Sequence, residues 1–286
     1  MKKYIKLLLL VSLFFSITGC FKRDEYEDIT IYTTVYPIEF ITQKLYGNHA
    51  TISSIYPNEV DISNYVLTTK KLTDYSKGNI FIYNGLSNEK DIAATLLNKN
   101  KKMDIIDVSQ GLEIKNDLTE LWLSPSNFLM MTSNIKNGLE TYITYKGILD
   151  EIDKNYDDLK LTISEFDAEL KLIAENGKKK KIFVANNTFK FLEKYGYEVI
   201  CIASDDENSN TNISQAEKAF SSKESSYLFE LAGTEENDTI KNLVSKGAKK
   251  VDVPTMITLT EEQRKNNNDY IILMQDFIEK IKAEVY

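Results

Sequence analysis

Short runs of apolar and β-branched residues alternate along the chain with longer stretches in which apolar residues recur every three or four positions. The runs predict strands over residues 29–35, 51–56, 79–83, 103–108, 181–185, 198–203, 226–230 and 249–253. The stretches predict helices over residues 37–46, 68–76, 91–98 and 188–195, and a terminal amphipathic helix with Tyr270, Met274, Phe277, Ile281 and Val285 on one face. Strands that alternate with helices indicate βαβ units and parallel sheets, so an α/β fold is expected in both halves.

The clearest periodic signal lies between the two halves. Its apolar residues step by three and four positions: Leu149, Ile152, Tyr156, Leu159, Ile163, Phe166, Leu170 and Ile173. Residues 149–173 therefore predict a helical rod about 37 Å long. A coiled-coil dimer is the other interpretation of such spacing, but the position in mid-chain favours one helix that joins two lobes. Gly177 and the lysines that follow it predict the helix end, with the glycine as its C-terminal cap.

The first residues predict an export signal. Lysines at positions 2, 3 and 6 precede an apolar run over residues 7–17, which is too short to span a bilayer as a mature helix. The run ends at Ile17-Thr18-Gly19-Cys20, which resembles the bacterial lipobox, where the cysteine is acylated and the chain is cut before it. Ordinary secretion with an incidental cysteine is the alternative. The expected organisation is a signal peptide (1–19), a lipidated tether (20–28), an N-terminal α/β lobe (29–145), a linking helix (146–177) and a C-terminal α/β lobe (178–286).

Lipidation of Cys20 would place the protein outside the cytoplasm, anchored to the bacterial cell membrane, because two or more acyl chains give stable attachment. Removal of the three N-terminal lysines would change the net charge from −8 to −11. Cys201 would then be the only cysteine left, so no intramolecular disulfide is available. Its apolar neighbours predict a buried strand thiol.

Composition excludes several function classes. The 286 residues contain one histidine, so a histidine-rich zinc centre or a Cys₂His₂ finger is excluded. The 43 acidic residues outnumber the 35 basic ones, and no basic stripe suits a nucleic acid. No Gly-x-Ser-x-Gly elbow, P-loop or Gly-x-Gly-x-x-Gly occurs, and a nucleophile pair would depend on His49. That histidine is expected in an exposed polar turn that faces away from any cleft, so an enzyme is not expected.

Five short segments, in the right order and spacing, resemble the zinc/manganese solute-binding lipoproteins of ABC transporters (the cluster A-I family). They are Thr33-Thr34-Val35-Tyr36-Pro37, Ile80-Phe81-Ile82-Tyr83-Asn84-Gly85-Leu86, Ile105-Ile106-Asp107-Val108-Ser109-Gln110-Gly111, Trp122-Leu123-Ser124-Pro125-Ser126-Asn127 and Lys194-Tyr195-Gly196-Tyr197. The resemblance implies two (β/α) lobes with parallel sheets, joined by a long rigid helix. It also implies a divalent cation of the manganese or zinc class in the interlobe cleft, an ABC permease and its ATPase as partners, and a monomer. The stiff helix predicts loop rearrangement rather than large domain closure on binding.

The family's metal ligands can be placed on this chain one at a time, and each histidine is replaced. Ser63 stands at the first histidine and Glu120 at the second, whereas the third ligand falls at Ala185 or Asn186. Asp252 is the nearest candidate for the fourth, acidic ligand. The chain therefore departs from the family at the positions where the family holds its metal, although not in its fold.

An all-oxygen metal site is the first interpretation of this departure, with Glu120, Asp252, Asp61, Ser63 and Asn186 as candidate ligands beside Glu59. Oxygen donors suit Mn²⁺, Mg²⁺ or Ca²⁺ better than Zn²⁺. The same acids can equally be solvated loop residues. Two other interpretations stay open: a cleft refitted for a non-metal ligand and lined by Tyr36, Tyr65, Tyr83 and Trp122, or a surface or adhesion lipoprotein that keeps only the scaffold. Residues 204–212, rich in Asp, Asn and Ser, predict a flexible surface loop.

Overall fold

Two four-stranded parallel sheets form the framework of residues 29–286, which are the residues that the computed structural model describes. The first sheet contains β1 (Ile29–Thr33), β2 (Ala50–Ser54), β3 (Ile80–Tyr83) and β4 (Asp104–Asp107) in the order β2-β1-β3-β4. The second contains β5 (Lys181–Val184), β6 (Glu198–Cys201), β7 (Tyr227–Leu231) and β8 (Lys249–Val253) in the order β6-β5-β7-β8. The predicted α/β fold is confirmed, and the predicted signal peptide, Cys20 and tether lie outside the described residues.

Helices cover the sheets. In the first half they are α1 (Tyr36–Tyr46), α2 (Thr69–Tyr75), α3 (Glu89–Lys99), α4 (Glu120–Leu123) and α5 (Pro125–Tyr142). The long helix α6 (Lys146–Asn176) follows, and then come α7 (Ser209–Ser221), α8 (Asp238–Ser245), α9 (Glu261–Lys265) and α10 (Tyr270–Val285). Residues Gly47–His49 and Asn187–Tyr195 are 3₁₀ helices. Because helices lie on both faces, β3 is almost wholly buried, and its sequence is accordingly a continuous apolar run.

Residues 204–212 are not a flexible loop throughout, which corrects the sequence prediction. Helix α7 begins at Ser209, within that segment. Before it, the buried carboxylate of Asp206 lies 2.7 Å from Lys190 Nζ and accepts a hydrogen bond from Asn208 N at 2.8 Å. The composition of the segment reflects helix-start and turn chemistry, since Asn, Asp and Ser favour both.

Helix α6 lies along the amino ends of the strands. Near its start, Glu151 Oε2 is 2.9 Å from Nε2 of His49, the residue that precedes β2. Its last residue, Asn176, is followed within five residues by β5. The carboxyl ends of the strands therefore open on the opposite side of the molecule. His49 faces away from that side, as expected, but it is a partly buried partner of Glu151 rather than a free loop residue.

The apolar stripe of α6 is buried inside this chain. Ile152, Ile163 and Leu170 are at most 1% exposed, and the helix packs against α1, α5 and α10. A single helix that joins two lobes therefore accounts for the periodicity, and at 31 residues it is about 46 Å long. Cys201, in β6, is buried and carries a free thiol, as its apolar neighbours predict.

Gly177 ends α6 for a different reason from the one predicted. Its φ of −70° and ψ of 147° are extended rather than left-handed, so it is not a left-handed cap. Its N–H donates to Ile173 O at 2.9 Å, and a Cβ at this position would lie 1.9 Å from Val285 Cγ1. Glycine is required here because the end of α10 packs directly against the backbone.

Gly177→Ala is therefore expected to lower the free energy of unfolding by about 2 kcal/mol, since the new methyl group must displace Val285 from a close-packed contact. Urea denaturation of the two proteins measures the difference. Asn176→Ala, at the exposed neighbouring position, should change stability by no more than about 0.5 kcal/mol. Equal stability of Gly177→Ala and the unchanged chain would contradict this account of the helix end.

Candidate functional site: the interlobe cleft

Residues 254–268 lead from β8 back onto the first lobe, and we call them the crossing segment. Three of its carbonyls accept hydrogen bonds from the first lobe. Trp122 Nε1 donates to Thr255 O at 2.7 Å, Tyr36 N to Ile257 O at 2.9 Å, and Glu59 N to Leu259 O at 3.1 Å. Because the crossing segment contributes backbone carbonyls to all three bonds, its part in joining the lobes does not depend on its own side chains.

A cavity of about 690 Å³ opens between the loop after β2 and the loops after β7 and β8. We call it the cleft cavity, and it lies at the carboxyl ends of the strands, where open α/β sheets bind ligands. It is lined by Glu59, Val60, Asp61, Ile62, Ala232, Gly233, Gln263 and residues 254–260. The lining mixes apolar side chains with three threonines, Gln263 and two carboxylates, those of Glu59 and Asp61.

The loop of the first lobe presents Asp61 as a carboxylate. Asp61 Oδ1 accepts hydrogen bonds from Ser63 Oγ at 2.6 Å and Ser63 N at 2.9 Å, and Oδ2 accepts one from Asn64 Nδ2 at 2.6 Å. The Ser63 hydroxyl and then its amide hold the pKa of Asp61 below its usual value. At neutral pH this exposed residue therefore carries its full negative charge next to the cleft cavity.

Two residues of the cleft cavity have left-handed backbone angles. Glu59 has a φ of 59° and Met256 a φ of 55°. Side-chain-bearing residues seldom adopt this region, and such residues concentrate at binding sites, where surrounding contacts hold them in place. For Glu59, those contacts come from the crossing segment.

Glu120 lies in a different cavity, of about 570 Å³, between the start of α5 and the second 3₁₀ helix. It is 6% exposed, and its Oε2 accepts a hydrogen bond from Asn116 Nδ2 at 2.9 Å. The same cavity is lined by three lysines, Lys115, Lys190 and Lys194. Glu113 and Glu193 line it as well, so the acidic and basic groups of the lining balance and it offers no excess negative charge to a cation.

A buried pair of hydroxyls lies beside Glu120. Thr119 Oγ1, just before α4, is 3.0 Å from Thr188 Oγ1 in the second 3₁₀ helix. Both residues are at most 3% exposed. The two lobes thus touch directly through neutral hydroxyl groups, next to the positions at which the family resemblance places the second and third ligands.

Asn186 and Asp252 have structural partners of their own. Asn186 Oδ1 accepts hydrogen bonds from Leu231 N at 2.8 Å and Thr234 Oγ1 at 3.4 Å, which fixes the loop after β7. Asp252 is exposed on β8 and pairs in register with Glu230 on β7. Burial raises the pKa of Glu230, whose Oε1 lies 2.7 Å from Lys250 Nζ, and the adjacent Asp252 raises it further.

The five predicted ligands are therefore not assembled into one site. Asp61 and Ser63 lie together beside the cleft cavity, whereas Glu120, Asn186 and Asp252 are engaged elsewhere. Among residues 29–286, no group of three or more His, Cys, Asp or Glu side chains is arranged to hold a metal ion. The chain's single imidazole is also remote, because His49 lies at the amino ends of the strands.

The four aromatic residues considered for a non-metal ligand pack within the protein. Tyr36 is 4% exposed and Trp122 is fully buried. The Tyr83 ring stacks on Phe81 with centroids 5.8 Å apart, and the Tyr65 ring meets Tyr56 edge to face at 5.8 Å. None of the four contributes to the lining of either interlobe cavity.

Comparison with known proteins decides the family. Residues 31–284 match the zinc-uptake complex component A family of periplasmic proteins (ZnuA). The chain belongs to this family. The ZnuA family is one of metal-transport solute-binding proteins, which agrees with the two-lobe architecture and with the resemblance found in the sequence.

Individual relatives are distant. The chain is 27% identical over 194 residues to the high-affinity zinc uptake system protein ZnuA of Buchnera aphidicola subsp. Schizaphis graminum, a match that covers 58% of this chain and 61% of that relative. The Zn(II)-bound ZnuA-like domain of Streptococcus pneumoniae AdcA superposes with a TM-score of 0.72 at 19% identity, covering 90% of this chain and 99% of that one. A Mn-bound mutant of a periplasmic metal-binding protein from Candidatus Liberibacter asiaticus gives 0.70 at 18% identity, covering 91% and 100%.

The described part of this ZnuA-family chain contains no helix of the length and apolarity needed to cross a bilayer.

Proposed function

We propose that this ZnuA-family protein is the lipid-anchored solute-binding component of an ABC importer for a divalent cation of the manganese or zinc class. Cys20, outside the described residues, would carry the lipid, and both lobes would dock on a membrane permease that is driven by its ATPase. The family match supports the transport role, and the lipobox-like segment supports the anchor. Intact-mass analysis of the membrane-extracted protein tests the anchor, since a diacylated Cys20 and the loss of residues 1–19 are expected.

We further propose that the cation is bound by oxygen donors in the cleft cavity. The observation that carries this proposal is the placement of Glu59 and Asp61 in that cavity, with the only imidazole at the opposite side. Two carboxylates offset the charge of a divalent ion, and oxygen donors favour Mn²⁺ over Zn²⁺. Ser63 belongs to the same loop. Glu120, Asn186 and Asp252 would join only after loop rearrangement, which the long rigid helix leaves as the expected motion.

Calorimetric titration of the mature chain with Mn²⁺ and with Zn²⁺ tests this site. We expect Mn²⁺ to bind more tightly than Zn²⁺. Glu59→Gln and Asp61→Asn should each weaken Mn²⁺ binding at least about tenfold, equivalent to about 1.4 kcal/mol. Asp91→Asn, which neutralises an exposed acid on α3, is the matched control and should leave the affinity unchanged. Loss of binding in Glu120→Gln together with normal binding in Asp61→Asn would contradict the choice of cavity.

The dispersal of the predicted ligands favours one second candidate, a surface or adhesion lipoprotein that keeps the scaffold and transports no solute. The buried contact between Thr119 and Thr188 supports it, because hydroxyls rather than a metal then bridge the lobes. Absence of binding for every divalent cation tested, with a folded protein by circular dichroism, would select this candidate over transport.

A further inference from the structure

Arg264 in α9 is the single arginine in the part of the chain that the structure describes, where all other basic side chains are lysines and His49. Each of its three guanidinium nitrogens bonds a residue of the first lobe. Nη2 lies 2.7 Å from Glu39 Oε2, Nη1 lies 3.3 Å from Glu39 Oε1, and Nε donates to Asn58 Oδ1 at 2.7 Å. The guanidinium also lies over the Tyr36 ring, 5.4 Å from its centroid.

This geometry requires arginine specifically. Glu39, on α1, is 5% exposed, and both of its carboxylate oxygens bond the guanidinium fork. A third nitrogen of the same group reaches Asn58 in a different loop. A lysine ammonium is a point charge that cannot span two partners in this planar arrangement. The buried carboxylate would also lose part of the pairing that offsets its desolvation.

The partner Asn58 belongs to the loop that presents the cleft carboxylates. Asn58 Nδ2 donates to Glu261 Oε1 at 2.9 Å, and Glu261 N donates to Glu59 Oε1 at 3.3 Å. With the bond from Glu59 N to Leu259 O, the hydrogen bonds of Asn58 and Glu59 run to the crossing segment. Hydrogen bonds to the crossing segment, on the opposite side of the cleft, thus fix the position of Glu59 and hold its left-handed backbone conformation.

We propose that Arg264 is a positioning residue for cation capture, which ties the loop that carries Glu59 and Asp61 to the crossing segment. This proposal rests on the proposed function, because it concerns the same cavity. Arg264 itself touches no cation, since its own charge would repel one. It acts through Asn58 and Glu39, and it holds the two carboxylates at a fixed distance from the opposite wall. The benefit is preorganisation, since a loop already ordered loses less conformational entropy on binding.

Arg264→Lys tests the proposal in the mature chain, because it keeps the charge and removes the fork. Three quantities are measured: Mn²⁺ affinity by calorimetry, amide hydrogen exchange of residues 57–64, and the melting temperature. We expect Mn²⁺ to bind about 10- to 100-fold more weakly, as for other residues that orient ligands, and residues 57–64 to exchange faster while α6 does not. Lys265→Gln, at the exposed next position of α9, should match the unchanged protein in all three.

Asn58→Ala provides a second variant that leaves the Arg264–Glu39 pair intact, in case the lysine variant fails to fold. It should also weaken Mn²⁺ binding and speed exchange in residues 57–64. Mn²⁺ affinity within about twofold of the unchanged protein in both variants would overturn the inference while leaving the proposed function standing, since orienting residues are worth more than that. An unchanged protein that binds no cation would instead overturn the proposed function itself, so the two failures are distinguishable.

Discussion

Trp122→Ala is expected to lower the free energy of unfolding by about 4 kcal/mol, the range found for removal of a buried aromatic side chain. Trp122 is fully buried where α4 meets the crossing segment. Its indole N–H donates to Thr255 O at 2.7 Å, and its carbonyl accepts a hydrogen bond from Tyr270 Oη at 2.6 Å. Alanine would leave a cavity between the lobes and a partly buried carbonyl at Thr255 without its hydrogen bond. Urea denaturation, with tyrosine fluorescence or circular dichroism as the signal, measures the loss.

Trp122→Phe separates the contribution of ring packing from that of the indole N–H hydrogen bond. Phenylalanine retains most of the ring volume but has no N–H, so a loss of about 1–2 kcal/mol is expected from the unpaired Thr255 carbonyl and the smaller ring. Tyr145→Ala, at a side chain that is 56% exposed, is the control for aromatic removal and should stay within about 0.5 kcal/mol. A loss below about 1.5 kcal/mol in Trp122→Ala, well under the range for a buried aromatic residue, would show that the lobes do not depend on this contact.

Glu89→Gln is expected to remove a pH dependence of stability between about pH 4.5 and pH 7. Glu89 is 1% exposed at the start of α3, where Oε2 accepts a hydrogen bond from Asn84 N at 2.8 Å and Oε1 is buried without a hydrogen-bond partner. Burial raises the pKa of Glu89 to about 7, although the nearby Thr34 hydroxyl and the Asn84 amide lower it. The folded protein therefore holds a proton on Glu89 that the unfolded chain releases near pH 4.5.

The sign of this change in stability with pH follows from proton linkage. Between the two pKa values the folded state binds more protons than the unfolded state, so the free energy of unfolding falls as pH rises. Below about pH 4.5 Glu89 has no effect, and above about pH 7 its cost is constant, at most about 3 kcal/mol. Glu89→Gln should therefore match the unchanged protein at about pH 4.5 and be more stable at about pH 8.

Urea denaturation at several pH values from about 4.5 to about 8 gives the difference between the two proteins, which isolates Glu89 from the other carboxylates. Glu235→Gln, at an exposed position, should give a curve parallel to that of the unchanged protein. Parallel curves for Glu89→Gln as well would contradict the assignment of a protonated carboxyl to this buried position.

The framework of the fold follows from local patterns in the sequence. All eight predicted strands are present with ends shifted by a few residues, because each is a short apolar run between polar turns. The stripe from Leu149 to Ile173 predicted α6 because its apolar residues recur at helical spacing. Helix α5 was missed, although Phe128, Met131, Ile135 and Leu139 are buried at helical spacing. Helix α7 was missed because its first turn has the composition of a loop, which local composition alone cannot distinguish from a helix start.

The candidate site depends on contacts between residues far apart in the chain, and these could not be predicted. The carboxylates of Glu59 and Asp61 were visible as loop acids, but nothing local showed that the crossing segment closes a cavity over them. The pairing of Arg264 with Glu39 joins residues 225 positions apart. Likewise, the positions of Asn186 and Asp252 in the family pattern do not show that Asn186 accepts a hydrogen bond from Leu231 N or that Asp252 pairs in register with Glu230. Sequence position identified the candidate ligands, and tertiary structure decided which of them share a cavity.

The position of a bound cation in a crystal is the strongest test of the proposed site in the cleft cavity. Crystals of the mature chain soaked with Mn²⁺ allow the ion to be located by its anomalous scattering. We expect one strong peak in the cleft cavity, with carboxylate oxygens of Glu59 and Asp61 at about 2.0–2.6 Å, the range for hard cations. A peak beside Glu120 or at His49, or a tetrahedral Zn²⁺ in the cleft when zinc is used instead, would contradict the proposed site.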